Sequence, residues 1–86
     1  MTRAVDFFND NLNRLGGVAL AADDPEKYNL YEGLRNLADG MWRQAEECFE
    51  ENVRLSGGVL VNPEKFNLYG GLAELARELE RRSRRP

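Results

Sequence analysis

Residues 25–34 read PEKYNLYEGL, and residues 63–72 read PEKFNLYGGL. Eight of the ten positions are identical, and one of the two differences exchanges Tyr28 for Phe66, another aromatic ring. The correspondence continues upstream at a spacing of 41 residues, which falls to 38 because the second connecting segment is three residues shorter. A fixed period near forty residues is typical of helical repeats, whose units bury their apolar faces by stacking on neighbours. The sequence therefore predicts one helical unit used twice.

Apolar residues recur at steps of three and four through most of the chain, which is the spacing of a helix. Asp24 and Asn62 are good N-cap residues, and the proline that follows each of them suits the first helical position. We therefore predict an all-α fold of four helices in two tandem, internally duplicated hairpins, either a helical repeat or a small bundle. The predicted helices span about 2–15, 24–38, 41–55 and 62–80.

These helices form a single predicted domain over residues 1–80, which 86 residues allow. Its first unit covers about 2–39 and its second about 41–80, and an arginine-rich tail follows at 81–86. The upstream half of the repeat contributes five matched positions to each unit. They are Phe8, Asn11, Gly16, Gly17 and Val18 in the first unit, and Phe49, Asn52, Gly57, Gly58 and Val59 in the second.

The segments that follow the two Gly-Gly pairs are apolar at 18–20 and 59–61, unlike a solvated loop. We expect both segments to tuck under their hairpins, with a short β pairing between them as the less favoured alternative. Gly33, Gly70 and Gly71 lie inside predicted helices, where each costs about 1 kcal/mol relative to alanine. Their recurrence predicts a neighbouring helix packed closely against that face.

The segment 26–58 resembles a tetratricopeptide repeat, in which two antiparallel helices occupy about 34 residues. With Glu26 as the first position, the small, turn and aromatic positions of that family fall on Gly33, Gly40, Trp42, Ala45 and Phe49. The helix opened by Pro63 resembles the first helix of a following repeat. The resemblance implies a protein-binding scaffold, since that family holds peptides or helices on its concave face.

The chain departs from the tetratricopeptide pattern at three positions and in one connection. Glu32 stands where the family prefers leucine, Asn52 where it prefers alanine, and Gly57 where it prefers proline. The link into the last helix is longer than usual. Only one complete repeat fits the chain, with a half repeat on each side, whereas three or more repeats are commonly needed for stability. Stacking of a second chain would supply the missing units, so we expect a homo-oligomer, most simply a dimer.

The composition predicts a protein that is not an enzyme and holds no cofactor or metal. There is no histidine, which removes Ser-His-Asp and Cys-His catalysis and most zinc sites. The single cysteine, Cys48, cannot form an internal disulfide and is predicted to be a buried apolar filler. No basic and apolar leader or long apolar run occurs, so we expect a cytoplasmic protein without a membrane partner.

Candidate partner-binding residues fall into three groups. Asparagine is a poor helix former, so its recurrence beside a tyrosine in both units indicates a hydrogen-bonding task, either to the Gly-Gly loop carbonyls or to the backbone of a partner. The same question applies to Asn11 and Asn52. Four glutamates form an acidic band at spacings of four, either a solvated face or a docking surface, and two arginines open the tail. The candidates are Asn29, Tyr31, Asn67, Tyr69, Glu46, Glu47, Glu50, Glu51, Arg81 and Arg82.

Three functions compete at this point. The first is a non-enzymatic interaction module or adaptor, self-associating and using a helical-repeat face. The second is a small acidic inhibitor or dedicated chaperone that occludes a basic site on its target. The third, nucleic-acid binding through the arginine tail, is disfavoured because residues 1–76 carry seven Lys or Arg against thirteen Asp or Glu and would repel phosphate.

Overall fold

The computed structural model describes residues 3–84 and contains five α-helices and no strand in that range. The all-α prediction is confirmed, and each of the four predicted helices is present. A short additional helix, α2, follows the first Gly-Gly pair. The bounds are Ala4–Arg14 (α1), Val18–Asp23 (α2), Pro25–Ala38 (α3), Trp42–Leu55 (α4) and Pro63–Ser83 (α5). The predicted start at Thr2 and the last two tail residues lie outside the described range.

The starts of α3 and α5 follow from the same cap chemistry. The Asp24 carboxylate accepts a hydrogen bond from the Lys27 backbone N–H at 3.1 Å. The Asn62 side chain does the same for Lys65 at 3.0 Å. Each bond satisfies an N–H that the first turn of a helix leaves without an intrahelical acceptor, so these side chains fix where the two helices begin.

The helices pack in chain order, with α1 and α2 on α3, α3 on α4, and α4 on α5. The turn from α3 into α4 needs Gly40, whose φ of 81° lies in the left-handed region that glycine adopts without strain. Beyond it, the Met41 N–H donates to the Asn36 carbonyl at 2.8 Å. This tight link lays α4 antiparallel along α3.

The core lies where α4 is sandwiched between α3 and α5. Its centre is Phe49, which is 0% exposed, with three small residues around it that let the helices approach closely. The buried cluster is Ala45, Phe49, Ala73 and Ala76, and Leu30, Leu34, Leu37 and Leu72 pack against it. Outside this cluster, Val5 and Leu12 of α1 and Leu20 of α2 are buried.

The close approach predicted at the helical glycines occurs at Gly33. A Cβ added there would lie 2.6 Å from Cε1 of the Phe49 ring, well inside van der Waals contact. At Gly70 and Gly71 an added Cβ would meet no atom within 4 Å. Close packing against Phe49 therefore explains the glycine at position 33, whereas no contact among the described residues explains Gly70 and Gly71.

The two repeat-related glycines are expected to respond oppositely to alanine. Gly33→Ala gains about 1 kcal/mol of helix propensity but overpacks the core against Phe49, which costs about 1–3 kcal/mol, so the free energy of unfolding falls. Gly71→Ala gains the same helix propensity without a clash, so the free energy of unfolding of this variant rises by up to about 1 kcal/mol. Urea unfolding followed by Trp42 fluorescence at nanomolar protein, where association does not contribute, measures both. Equal signs for the two variants would contradict the packing described here.

The apolar segments after the Gly-Gly pairs behave differently from one another. In the first, Leu20 is buried within α2, but Val18 is 87% exposed and Ala19 is exposed, so the predicted burial holds for Leu20 alone. In the second, Val59 and Val61 are exposed and Leu60 is 95% exposed. The prediction that both segments tuck in is therefore wrong for the second. The three residues missing there leave too little chain for a helix like α2.

Candidate functional site

One side of α5 carries apolar surface without a covering helix among the described residues. A groove of about 440 Å³ opens there, lined by Phe66, Asn67, Gly70, Gly71 and Glu74. The glycines form its floor because they have no side chains. On the same helix Leu68 is 51% exposed and Leu75 is 47% exposed. Apolar side chains at a groove with a few polar groups at its edge are typical of a surface that another helix covers.

A polar cluster holds the starts of α3 and α5 together. The Glu26 carboxylate oxygen Oε2 accepts a hydrogen bond from the Tyr69 hydroxyl at 2.7 Å and contacts the Lys65 ammonium at 2.7 Å. These two hydrogen bonds, that from Lys65 foremost, hold the pKa of Glu26 below its usual value. Burial, with the Glu26 carboxylate beside it, raises the pKa of Tyr69. A cleft of about 300 Å³ beside the cluster is also lined by Tyr31 and Leu30.

The backbone of Glu26 is also linked to α4. Nδ2 of Asn52, a side chain that is 0% exposed, donates to the Glu26 carbonyl oxygen at 2.9 Å. Glu26 thus joins α3, α4 and α5, which the sequence did not indicate because its partners lie 26 and 43 residues away. The recurrence of asparagine at Asn11 and Asn52 was the signal that pointed to a hydrogen-bonding task here.

The asparagine–tyrosine candidates separate into buried and accessible residues. Tyr69 is buried and its hydroxyl is bonded to Glu26, so it serves the fold. Tyr31 is half-buried beside the Glu26 cleft, and Asn67 lines the α5 groove. Within residues 3–84 the Asn29 and Asn67 side chains make no hydrogen bond, so the predicted bonds to the Gly-Gly loop carbonyls are not present.

The acidic band of α4 is largely paired within the chain. The Arg77 guanidinium donates to Glu46 at 3.0 Å and to Glu50 at 2.9 Å, which ties α4 to α5. The neighbouring Glu46 carboxyl foremost, together with burial, raises the pKa of Glu50, and the Arg77 guanidinium opposes that shift. Glu51 accepts a hydrogen bond from Arg54 at 3.1 Å, and Glu47 is exposed. Most of the band therefore stabilises the fold and offers little free charge for docking.

The arginines that open the tail are part of α5, which continues to Ser83. Arg81 pairs with Glu78 one turn earlier, and Arg82 reaches the same carboxylate at 3.4 Å. Arg84 pairs with Glu80. All three are exposed pairs of the kind worth less than about 1 kcal/mol each, and they neutralise much of the positive charge of the tail.

Cys48 is half-buried on α4. Burial, with the Glu32 carboxylate next in importance, raises the pKa of Cys48 to about 11, so the thiol stays protonated at neutral pH. Among residues 3–84, no group of three or more His, Cys, Asp or Glu side chains converges as metal ligands would. In the same range, no helix has both the length and the apolar character needed to cross a membrane.

The α5 groove and the Glu26 cluster are thus the two features of the described chain that bear on function. The cluster is a structural joint, whereas the groove is open. Comparisons of the chain with models of protein families, with curated proteins and with solved structures found no match. The resemblance to tetratricopeptide repeats therefore stays a prediction from the residues quoted above.

Proposed function

We propose that this protein is a non-enzymatic protein-interaction module that associates with copies of itself through the uncovered side of α5. The observation that carries the proposal is the exposure of Leu68 and Leu75 beside the groove at Gly70 and Gly71. Their repeat counterparts on α3, Leu30 and Leu37, pack against the core. This helix face is covered by a neighbouring helix in the first unit and exposed in the second. The exposed copy can therefore bind a helix of another chain.

We further propose that α1 with α3 and α4 with α5 are tandem copies of one hairpin. The sequence identity of residues 25–34 and 63–72 supports this, as does the antiparallel packing of α4 on α5 through Arg77. In such an array each unit buries its apolar face only against the next one. A cytoplasmic location also remains our prediction, since the single thiol suits a reducing compartment.

The paired state of the acidic band gives no support to the alternative of an acidic inhibitor or chaperone. Glu46 and Glu50 share Arg77, and Glu51 is bonded to Arg54. A partner that docked on this band would first have to break contacts that hold α4 to α5. The groove on α5 makes no such demand, and it is therefore the surface on which the proposal rests.

Sedimentation equilibrium at micromolar concentrations tests self-association. We expect a weight-average mass above the 9.8 kDa of one chain, rising with concentration. Leu75→Glu removes apolar contact and should weaken association about tenfold or more, because a buried leucine contributes about 1.5–3 kcal/mol. Met41→Glu, at another exposed apolar side chain far along the chain, is the matched control and should associate like wild type. A strict monomer at every concentration would contradict the proposal.

A further inference from the structure

The packing of α4 on α3 shows how this sequence repeat covers a glycine-bearing helix face. The Phe49 ring lies over Gly33, and Asn52 donates to the Glu26 carbonyl. Ala45, one turn before Phe49, completes the contact stripe of α4. All three α4 side chains are 0% exposed.

The repeat places the same acceptor features on α5. Gly33 corresponds to Gly71, and Glu26 corresponds to Glu64. An added Cβ at Gly71 meets nothing within 4 Å, and Glu64 is exposed. The groove described above thus occupies the position that Phe49 fills on α3.

The repeat also places the same donor stripe on α1. Counting back 41 residues from Ala45, Phe49 and Asn52 reaches Ala4, Phe8 and Asn11. Ala4 is exposed, Phe8 and Asn11 are half-exposed, and the neighbouring Phe7 is 64% exposed. One end of the helix row therefore offers the stripe, and the other end offers the face that such a stripe covers.

We infer that α1 of one copy docks on α5 of the next, repeating between chains the contact that α4 makes on α3 within one chain. Phe8 then lies over Gly71, and the Asn11 amide reaches the Glu64 carbonyl. This inference rests on the proposed function and makes it specific, because it names the occupant of the groove and the register in which it binds.

A change of residue size on both sides of the contact supports this assignment. Within the chain, Glu32 on α3 lies near Cys48 on α4, since its carboxylate acts on the thiol. The corresponding pair is Gly70 on α5 and Phe7 on α1. The acceptor side has lost a long side chain where the donor side has gained a large ring. Such an exchange conserves the volume of the contact, which well-packed interfaces require.

Charge complementarity points the same way. In the antiparallel register set by Phe49 on Gly33 and Asn52 on Glu26, Arg3 comes level with Glu74 and Arg14 with Glu64. Glu74 is paired with Arg77 in its own chain, and this pair is largely exposed. The α1 arginines are held in their own chain by exposed ion pairs, Arg3 with Asp39 at 3.5 Å and Arg14 with Asp10 at 2.6 Å. Exposed pairs of this kind contribute at most about 1 kcal/mol, so they leave both side chains free to meet a partner.

The contact uses different surfaces of the two chains, so it is heterologous and leaves one donor and one acceptor free at the ends of any open assembly. The length of α5 fits this arrangement. After α3 a three-residue link turns the chain directly into α4, whereas α5 runs on to Ser83. α5 thus extends past Ala76, the counterpart of the last residue of α3, and offers a longer surface to a second chain.

Two complementary blocking variants test the head-to-tail contact. Phe8→Glu disables the α1 stripe, and Gly71→Arg fills the α5 groove. Each variant alone has lost one half of every possible contact, so each should be monomeric, with association weakened about a hundredfold or more by the unpaired charge. An equimolar mixture should form a dimer of two 9.8 kDa chains that does not grow with concentration. Wild type should continue to grow.

Circular dichroism and a thermal melt of each variant check that it folds. If Phe8→Glu does not fold, Phe7→Glu replaces it, because that side chain is exposed. If either single variant associates like wild type, or if two monomeric variants fail to combine, the head-to-tail contact is overturned while self-association stands. If wild type itself is a strict monomer, both the head-to-tail contact and the proposed self-association are overturned. The two failures are thus distinguishable.

Discussion

Phe49→Ala is expected to lower the free energy of unfolding by about 3–5 kcal/mol. The ring is fully buried, lies directly on Gly33, and is the only large apolar side chain in the buried cluster of α4 and α5. Its removal leaves a cavity that α3 can close only by moving towards α4. A domain of this size has a total stability of about 5–15 kcal/mol, so much of the population unfolds under mild denaturant. Urea titration followed by Trp42 fluorescence measures the loss.

Phe8→Ala is the matched control for this variant, since the sequence repeat gives both phenylalanines the same position. Phe8 is half-exposed, so its removal should cost about 1 kcal/mol in the dilute monomer. Both variants are compared at nanomolar concentration, where a second chain does not bury Phe8. Equal losses would contradict the description of α4 as the central helix and α1 as an edge helix.

The helix pattern could be predicted because its determinants are local. The cap residues Asp24 and Asn62, each followed by proline, fix the starts of α3 and α5 within one residue of prediction. Gly40 and the two Gly-Gly pairs mark the turns. These signals act over three or four residues, which is the range that a sequence pattern can display.

The helix α2 was missed because the repeat itself was misleading. The apolar segments 18–20 and 59–61 look alike, so the pattern predicts the same structure for both. The first lies in the run VALAAD, whose three alanines favour a helix, whereas the second is followed at once by Asn62 and Pro63. The length of the connecting segment therefore determines whether a helix forms after the Gly-Gly pair, and the shared apolar pattern does not.

The sequence could predict that close contacts exist inside the fold, but not which residues make them. Glycines inside a helix predict that a neighbouring helix packs closely against them. Phe49 packs in this way on Gly33, whereas no described residue packs on Gly70 or Gly71. Spacing along α4 alone would pair Glu50 with Arg54 at i,i+4, but Arg54 pairs with Glu51, and Glu50 pairs with Arg77 of another helix. Competition among several glutamates for one arginine depends on packing between helices, which spacing along one helix cannot show.

Asn52→Asp is expected to destabilise the fold by about 3–5 kcal/mol at neutral pH. The wild-type amide donates to the Glu26 carbonyl from a position with 0% exposure. A carboxylate has no proton to donate, so it would place two acceptors against each other and bury an unpaired charge. Asn11→Asp is the control, because that side chain is half-exposed and its change should cost less than about 1 kcal/mol in the dilute monomer.

The penalty of Asn52→Asp should also depend on pH, with a sign that identifies its cause. Burial raises the folded-state pKa of the introduced carboxyl above its unfolded value of about 3.9. Below that value both states are protonated, and the hydroxyl can donate to the Glu26 carbonyl. The penalty therefore grows as pH rises from about 4 and levels off above the folded-state pKa, at about 1.4 kcal/mol per unit between the two.

Stability curves of the variant and of wild type must be subtracted, because wild type has a pH dependence of its own. The pKa of Glu26 is lowered in the folded state, so its contribution is present above its unfolded value and is lost as pH falls through the folded one. The subtraction removes the part of that loss that the two proteins share. A penalty that stays constant from pH 4 to pH 7 would mean that Asn52 contributes through its shape alone and not through the hydrogen bond that joins α4 to α3.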